Sequence, residues 1–114
     1  MMETKDSISN IDEIAAVEGA DVLLVGSNDL SIELGVAAKF ESEVFKSTLV
    51  TVSEACKGHK KVFGLASIYD KPDYQPWTVN DLGVKFILGG QDSGAITSGT
   101  KQCMAGLISI ESHE

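Results

Sequence analysis

The chain has 114 residues, of which 43% are apolar and 23% are charged, and this composition can supply one packed core of ordinary domain size. Its 9 basic and 17 acidic residues give a net charge of −8, which disfavours binding to nucleic acid or to an anionic membrane surface. No apolar run approaches the roughly 18 residues of a membrane span, and the first residues lack the apolar region of a signal peptide. We therefore expect a cytoplasmic protein.

The first half of the chain alternates between helical and strand patterns. An amphipathic helix is predicted before Gly19, and Asn10 and Glu13 have the spacing of a capping box. A buried strand is predicted over residues 22–25, followed by a helical turn over residues 30–34. A longer helix ends at Gly58, because apolar residues before it recur at helical spacing. The apolar positions of the two helices are Ile8, Ile11, Ile14 and Ala15, then Phe45, Leu49, Val52 and Cys56.

The second half continues the same alternation. Strands are predicted over residues 62–66 and 84–88, with a short helix over residues 77–82 between them and with Tyr74 and Trp77 packed under a loop. The final helix follows residue 94, and its apolar stripe consists of Ile96, Cys103, Leu107 and Ile110. This order predicts an α/β fold in which right-handed crossovers join parallel strands that are covered on both faces. Without an internal linker, residues 1–114 are predicted to form a single domain.

The cysteines and histidines do not form a catalytic or metal-binding pattern. Cys56 and Cys103 lie in helical segments without zinc-type spacing, so both are predicted to be reduced thiols in the core. His59 lies in the turn that enters a strand, and His113 lies in the C-terminal tail, so neither suits a general base. Tyr69 follows a strand and is a candidate pocket residue.

Ligands of parallel α/β proteins bind at loops that leave the carboxyl ends of strands, here residues 27–31, 67–70 and 89–94. Glu3 and Asp29 are separated by about the length of a helix plus a strand, which places them beyond neighbouring strand ends about 4.8 Å apart. Two such carboxylates can share one hard divalent cation. Spacing alone favours a plainer interpretation, in which Asn28 or Asp29 caps the following turn and Glu3 is a solvated charge.

The glycine-rich segment over residues 89–94 has two interpretations. Its small residues would allow backbone N–H groups to approach a phosphate at the start of a helix. However, the segment matches neither the dinucleotide-binding nor the Walker glycine pattern. A tight turn from strand to helix, capped by Asp92 or Ser93, is the favoured interpretation.

Several motifs distributed along the chain resemble one known family. They include Met-Glu-Thr at residues 2–4, Val-Gly-Ser-Asn-Asp-Leu-Ser at residues 25–31 and Phe-Ile-Leu-Gly-Gly-Gln-Asp at residues 86–92. The chain resembles the HpcH/HpaI aldolase/citrate lyase family, and the likeness extends over nearly its whole length. The paired acidic residues of that family fall on Glu3 and Asp29, and Ser27 stands where the family usually has proline.

The resemblance implies a (β/α)8 barrel, of which this chain would form the C-terminal portion. It implies a metal-dependent carbon–carbon lyase in which Glu3 and Asp29 hold Mg²⁺ or Mn²⁺, and the ion binds pyruvate or a 2-oxo acid and stabilises its enolate. The backbone around Asn28 and Asp29, together with Ser27, would face the substrate carboxylate. Ala66 would line the substrate pocket.

The resemblance also implies that residues 1–114 form one partial domain that begins where the family's fifth strand ends. The family's catalytic base and substrate-binding arginine belong to the preceding half, and this chain contains no arginine. In the family, the last helix packs against a neighbouring subunit, so we expect a homo-oligomer or association with a paralogue. The alternative hypothesis is a truncated, non-catalytic α/β remnant that only associates with other subunits.

Overall fold

Three apolar segments form a parallel sheet in the computed structural model, which describes residues 1–68 and 71–112. The strands are β1 (Val22–Gly26), β2 (Val62–Ala66) and β3 (Val84–Ile87), and they lie in the order β1-β2-β3. The register pairs Val22 with Val62 and Gly26 with Ala66, while Phe63 pairs with Val84 next to an irregularity in the ladder. The predicted α/β fold with parallel strands is therefore confirmed. The predictions for Tyr69, Asp70 and His113 concern residues outside the described part of the chain.

Helical segments precede and connect the strands. They are α1 (Lys5–Ser9), α2 (Ile11–Ala15), α3 (Ser27–Glu33), α4 (Glu43–Gly58), α5 (Tyr74–Pro76), a π-helical turn (Trp77–Asp81) and α6 (Asp92–Glu111). The predicted first helix is thus divided in two at Asn10. The predicted capping box of Asn10 and Glu13 is wrong, because Asn10 makes no side-chain cap and the capping box belongs to Thr4 and Ser7. None of these helices, within the described residues, is long and apolar enough to cross a membrane.

One face of the sheet carries the core. Leu23, Val25, Phe63, Leu65 and Val84 are buried on this face, and α4 packs against it with Phe45, Leu49 and Val52. On the other face Val22 and Phe86 are 40% and 45% exposed. The expectation of strands covered on both faces is therefore wrong for the described residues. In a (β/α)8 barrel this second face is the barrel interior, which side chains from all eight strands fill together.

Aromatic residues close the core between α5 and the segment that precedes α4. Tyr74 is buried, and its hydroxyl donates a hydrogen bond of 2.9 Å to the carbonyl oxygen of Phe40. The rings of Tyr74 and Trp77 meet edge to face at 5.3 Å, as do those of Phe40 and Phe45. These contacts confirm the predicted packing of Tyr74 and Trp77. They attach α5 to the segment that precedes α4.

Replacing Tyr74 with phenylalanine is expected to lower the free energy of unfolding by about 1–3 kcal/mol at neutral pH, because the buried carbonyl of Phe40 loses its partner. Burial, and next the charge of Glu41, raise the pKa of Tyr74. An unfolded tyrosine ionises near pH 10, so above that pH the unfolded state binds fewer protons and stability falls as the pH rises. Urea unfolding at pH 8 and pH 11 should show a smaller alkaline loss in Tyr74→Phe. An equal loss in both proteins would contradict the assignment.

Helix α6 does not pack against the rest of the described structure. Every described residue of α6 is exposed, and the molecule extends 64 Å along its longest axis against 27 and 22 Å along the others. The prediction of two core thiols is therefore half wrong: Cys56 is buried, which raises the pKa of its thiol, whereas Cys103 on α6 is exposed. The prediction that Asp92 or Ser93 caps the start of α6 is also wrong. Gln91 is the N-cap residue, and Asp92 lies within the first turn, where its carboxylate accepts the N–H of Ser93.

Candidate metal and substrate site

Glu3 lies at the carboxyl end of β1, although it belongs to the segment before the sheet. The backbone N–H of Met2 donates to Leu24 at 2.6 Å, and the N–H of Gly26 donates to Met2 at 3.0 Å, so Met2 pairs with Val25 as a parallel bridge. Immediately after Glu3, Thr4 caps α1 by accepting the Ser7 N–H at 3.1 Å. The backbone of Glu3 is therefore fixed on both sides.

The side chain of Glu3 lies directly against Gly26. A methyl group at Gly26 would be 2.7 Å from Cγ and 2.8 Å from Oε1 of Glu3, closer than side-chain carbons approach other atoms. The φ of Gly26 is −84°, which any residue adopts, so the space and not the backbone conformation requires glycine here. Gly26 thus positions Glu3, a role that sequence analysis missed because it depends on a contact between distant residues.

Asp29 is presented by the first turn of α3, which begins directly where β1 ends. Asp29 and Asn28 are exposed, and the N-cap residue of α3 is Gly26, which makes no side-chain cap. The predicted start of this helix at residue 30 is therefore wrong, as is the alternative in which Asn28 or Asp29 caps the turn. Ser, Asn and Asp are typical of turns, so a helix is not predicted where they occur together. Here these three residue types form the first turn of α3.

A buried serine holds this turn in place. The hydroxyl of Ser31 donates to the carbonyl oxygen of Asn28 at 2.7 Å and accepts the N–H of Ala38 at 3.0 Å. Ala38 has a positive φ of 57°, so this hydrogen bond also stabilises an uncommon backbone conformation. Ser31 lies within the motif identified in the sequence, yet its positioning role required the structure.

Two further residues from the sequence-based set lie at the same end of the sheet. Ala66 is the last residue of β2 and pairs directly with Gly26. Ser27 is fully buried, and its hydroxyl has no hydrogen-bond partner in the described structure. A buried hydroxyl without a partner costs free energy, which a bound water or ligand can recover. The residues predicted from the sequence therefore lie together at the carboxyl-terminal edge of the sheet, where β1 and β2 end. They are Glu3, Ser27, Asn28, Asp29 and Ala66.

The donor atoms at this edge fit a hard divalent cation. Glu3 and Asp29 supply carboxylate oxygens, the donors that Mg²⁺ and Mn²⁺ prefer. No group of three or more His, Cys, Asp and Glu side chains suited to a metal occurs among residues 1–68 and 71–112. An ion held by two carboxylates would therefore take its remaining ligands from water and substrate, as Mg²⁺ commonly does.

His59 lies at the other end of the sheet. It follows α4 and precedes β2, and its Nε2 is 3.6 Å from Asp12 Oδ1. The expectation that His59 lies in the turn that enters a strand is confirmed. It is too far along the strand direction to act on a substrate beside Asp29.

The residues that form this edge belong to a recognisable sequence family. The sequence model of the HpcH/HpaI aldolase/citrate lyase family matches residues 1–93 of the chain. The chain belongs to this family. The match includes all five residues of the candidate site, and it ends near the start of α6.

Among relatives, the chain is 47% identical to a 4-hydroxy-4-methyl-2-oxoglutarate aldolase of Hapsidospora irregularis and 42% identical to one of Chaetomium globosum. Each alignment covers 97% of this chain and 41% of the relative, so the chain spans about two fifths of their length. The crystal structure of an HpcH/HpaI aldolase from Desulfitobacterium hafniense matches with a TM-score of 0.80 at 25% identity, over 92% of this chain and 40% of that one. The predicted fold, the C-terminal portion of a (β/α)8 barrel, is confirmed.

Proposed function

We propose that this chain carries the metal site and part of the substrate site of a cytoplasmic aldolase that acts on 2-oxo acids through a pyruvate enolate and depends on Mg²⁺ or Mn²⁺. The observation that supports it best is the placement of the Glu3 carboxylate against Gly26, at the strand end from which the first turn of α3 presents Asp29. The names of the fungal relatives support cleavage of a 4-hydroxy-2-oxo acid.

The chain's own residues bind and orient the substrate in this proposal. Glu3 and Asp29 hold the cation, while the backbone around Asn28 and Asp29 faces the substrate carboxylate. The buried Ser27 hydroxyl gains a partner in the complex, and the small side chain of Ala66 leaves space for the carbon chain. When bound, a divalent ion supplies Lewis-acid stabilisation of the charge that develops on the 2-oxo oxygen.

Aldol cleavage also needs a base, because the proton of the 4-hydroxyl must leave as the bond between C3 and C4 breaks and the new carbonyl forms. Positioned general acid–base assistance is worth typically about 10²–10⁴-fold in rate. The described residues place no histidine at this end of the sheet, and the chain has no arginine for the substrate carboxylate. The proposal therefore assigns the base to another polypeptide segment, whether of a longer protein or of a partner.

We expect the 114-residue chain alone to release pyruvate from 4-hydroxy-4-methyl-2-oxoglutarate at a rate near background, even with saturating Mn²⁺. A lactate dehydrogenase assay that couples pyruvate to NADH oxidation measures this rate. Robust metal-dependent release would show that the chain supplies its own base, and the roles assigned above would then be incomplete.

The second candidate function is a non-catalytic subunit that only associates with other chains. The observation that favours it is the exposed apolar surface of α6, where Ile96, Leu107 and Ile110 are 69%, 58% and 67% exposed. This function needs no metal. Metal binding therefore separates the two candidates.

Calorimetric titration with Mn²⁺ tests the proposed function. We expect the wild-type chain to bind one ion. In Asp29→Ala and in Glu3→Gln, the affinity for Mn²⁺ should fall by more than the roughly 10–100-fold that is typical when a residue supporting a metal ligand is replaced. Glu13→Gln removes an exposed carboxylate on α2 and should bind as wild type does. Equal binding by wild type and Asp29→Ala would refute the assignment.

A further inference from the structure

A second pocket lies where the strands begin, at the opposite end of the sheet from Glu3 and Asp29. The end of α4 and the first residues of β2 and β3 enclose a cavity of about 380 Å³. Its lining includes Lys57, Lys60, Lys61 and Lys85, and the buried side chains of Phe63 and Leu82 lie beneath them. We call this cavity the lysine pocket.

The lysine pocket concentrates positive charge in an acidic protein. It contains four of the nine basic residues of a chain whose net charge is −8. Within the described residues, the ion pairs are those of Lys46 with Glu41 and of His59 with Asp12. No described carboxylate therefore lies within 4 Å of the ammonium groups of the lysine pocket. Lysines that line one cavity repel one another unless an anion offsets their charge.

Two of these lysines are already held in place. Lys57 Nζ donates to the carbonyl oxygen of Asp81 at 3.2 Å, and Lys61 Nζ donates to that of Val17 at 3.0 Å. Each ammonium has three N–H donors, so both retain donors for a ligand. Because hydrogen bonds already restrict these two side chains, ligand binding costs less side-chain entropy. The apolar floor reduces the local dielectric and strengthens charge–charge attraction.

We propose that the lysine pocket binds a small organic anion with two or more carboxylate or phosphate groups. Its volume lies within the roughly 300–1,000 Å³ typical of ligand sites, large enough for more than one anionic group. Several lysines around the mouth match several negative charges, whereas one charge would leave most of them uncompensated. The chain has no arginine, so recognition relies on point charges and not on planar bidentate pairs. This site does not depend on the metal site or on the proposed aldolase function.

Calorimetry at about 20 mM ionic strength tests this proposal on a chain freed of metal beforehand by a chelating resin and kept in a monovalent buffer, using citrate and pyrophosphate as probes. We expect one probe molecule to bind per chain, with affinity that falls steeply as salt is added. Replacing exposed Lys60 and Lys85 together with glutamine should weaken binding at least about tenfold, because each charged hydrogen bond contributes that order. Binding of citrate alone identifies a polycarboxylate ligand, pyrophosphate alone a phosphate ligand, and both a general polyanion site.

Three controls make the result specific. The double variant Lys5→Gln with Lys39→Gln makes the same change in net charge outside the lysine pocket and should bind as wild type does. Lys60→Arg with Lys85→Arg keeps the charge and should retain binding, while Asp29→Ala should leave it unchanged. No binding of either probe to the wild-type chain overturns the proposal. An equal loss in both glutamine double variants overturns it too, because the attraction would then be a general charge effect.

Discussion

Replacing Leu107 with glutamate is expected to shift the chain from an oligomer to smaller species, and to weaken self-association by about 10- to 150-fold. The side chain of Leu107 is 58% exposed on α6, beside other exposed apolar side chains. Burying one leucine is worth about 1.5–3 kcal/mol, which corresponds to that change in affinity. A buried glutamate adds a desolvation penalty to the loss.

The physical reason is that α6 packs against no other element among residues 1–68 and 71–112. Its apolar surface includes Ile96, Met104, Leu107, Ile108 and Ile110, all more than half exposed. The outer strand of the sheet and the residue that follows it add Phe86, Ile87 and Leu88, each between 41% and 45% exposed. We expect a second copy of the chain to cover the α6 surface, with the sheet edges near Val22 and β3 as additional contacts.

Sedimentation velocity at micromolar concentration measures this association. Gln102→Glu is the matched control, because it adds the same negative charge outside the apolar stripe. Residue 102 lies about 140° around the helix from Leu107. The control should sediment as wild type does. A wild-type chain that sediments as a compact monomer and unfolds cooperatively would contradict the account of α6.

The second large effect is expected at Gly26. Replacing this glycine with alanine should weaken Mn²⁺ binding by roughly 10–100-fold, as is typical when a group that orients a metal ligand is lost. The new methyl group would occupy the space of Cγ and Oε1 of Glu3, so the carboxylate must move away. Stability should fall less than metal affinity, because the displaced atoms belong to side chains and not to the backbone, and φ at Gly26 is already negative.

A loss of Mn²⁺ affinity that exceeds the loss of folding stability would distinguish this effect from simple damage to the fold. Urea unfolding and Mn²⁺ calorimetry on the same protein provide the two measurements. Gly58→Ala, at the end of α4, is the control because no atoms crowd a methyl group there, and its metal affinity should not change. A Gly26→Ala protein with wild-type affinity for Mn²⁺ would show that Glu3 does not need its observed position.

Regular elements could be predicted where apolar spacing is undisturbed. The bounds of β2 are those predicted, because charged Lys60 and Lys61 precede its apolar run and Ser67 follows it. Helix α4 also follows its stripe, and it buries Phe45, Leu49, Val52 and Cys56 as expected. At these positions, local pattern and tertiary packing favour the same structure.

Other features could not be predicted because distant contacts decide them. Residues 27–29 have turn-forming side chains, yet they start a helix in which Ser31 binds the backbone of Asn28 and Ala38. Cys103 occupies an apolar stripe that predicts burial, but burial requires a neighbouring surface that the described chain does not place against α6. The role of Gly26 depends on Glu3, which the bridge between Met2 and Val25 brings beside it.

The central claim is that Glu3 and Asp29 together hold one divalent cation at the carboxyl end of β1. Paramagnetic broadening by substoichiometric Mn²⁺ in the amide NMR spectrum locates a bound ion directly. We predict the strongest broadening for Glu3, Gly26, Ser27, Asn28 and Asp29, the weakest for Lys60 and Lys61 at the opposite end of the sheet, and recovery of the lost signals in Asp29→Ala. Broadening centred elsewhere, or retained in Asp29→Ala, would contradict the claim.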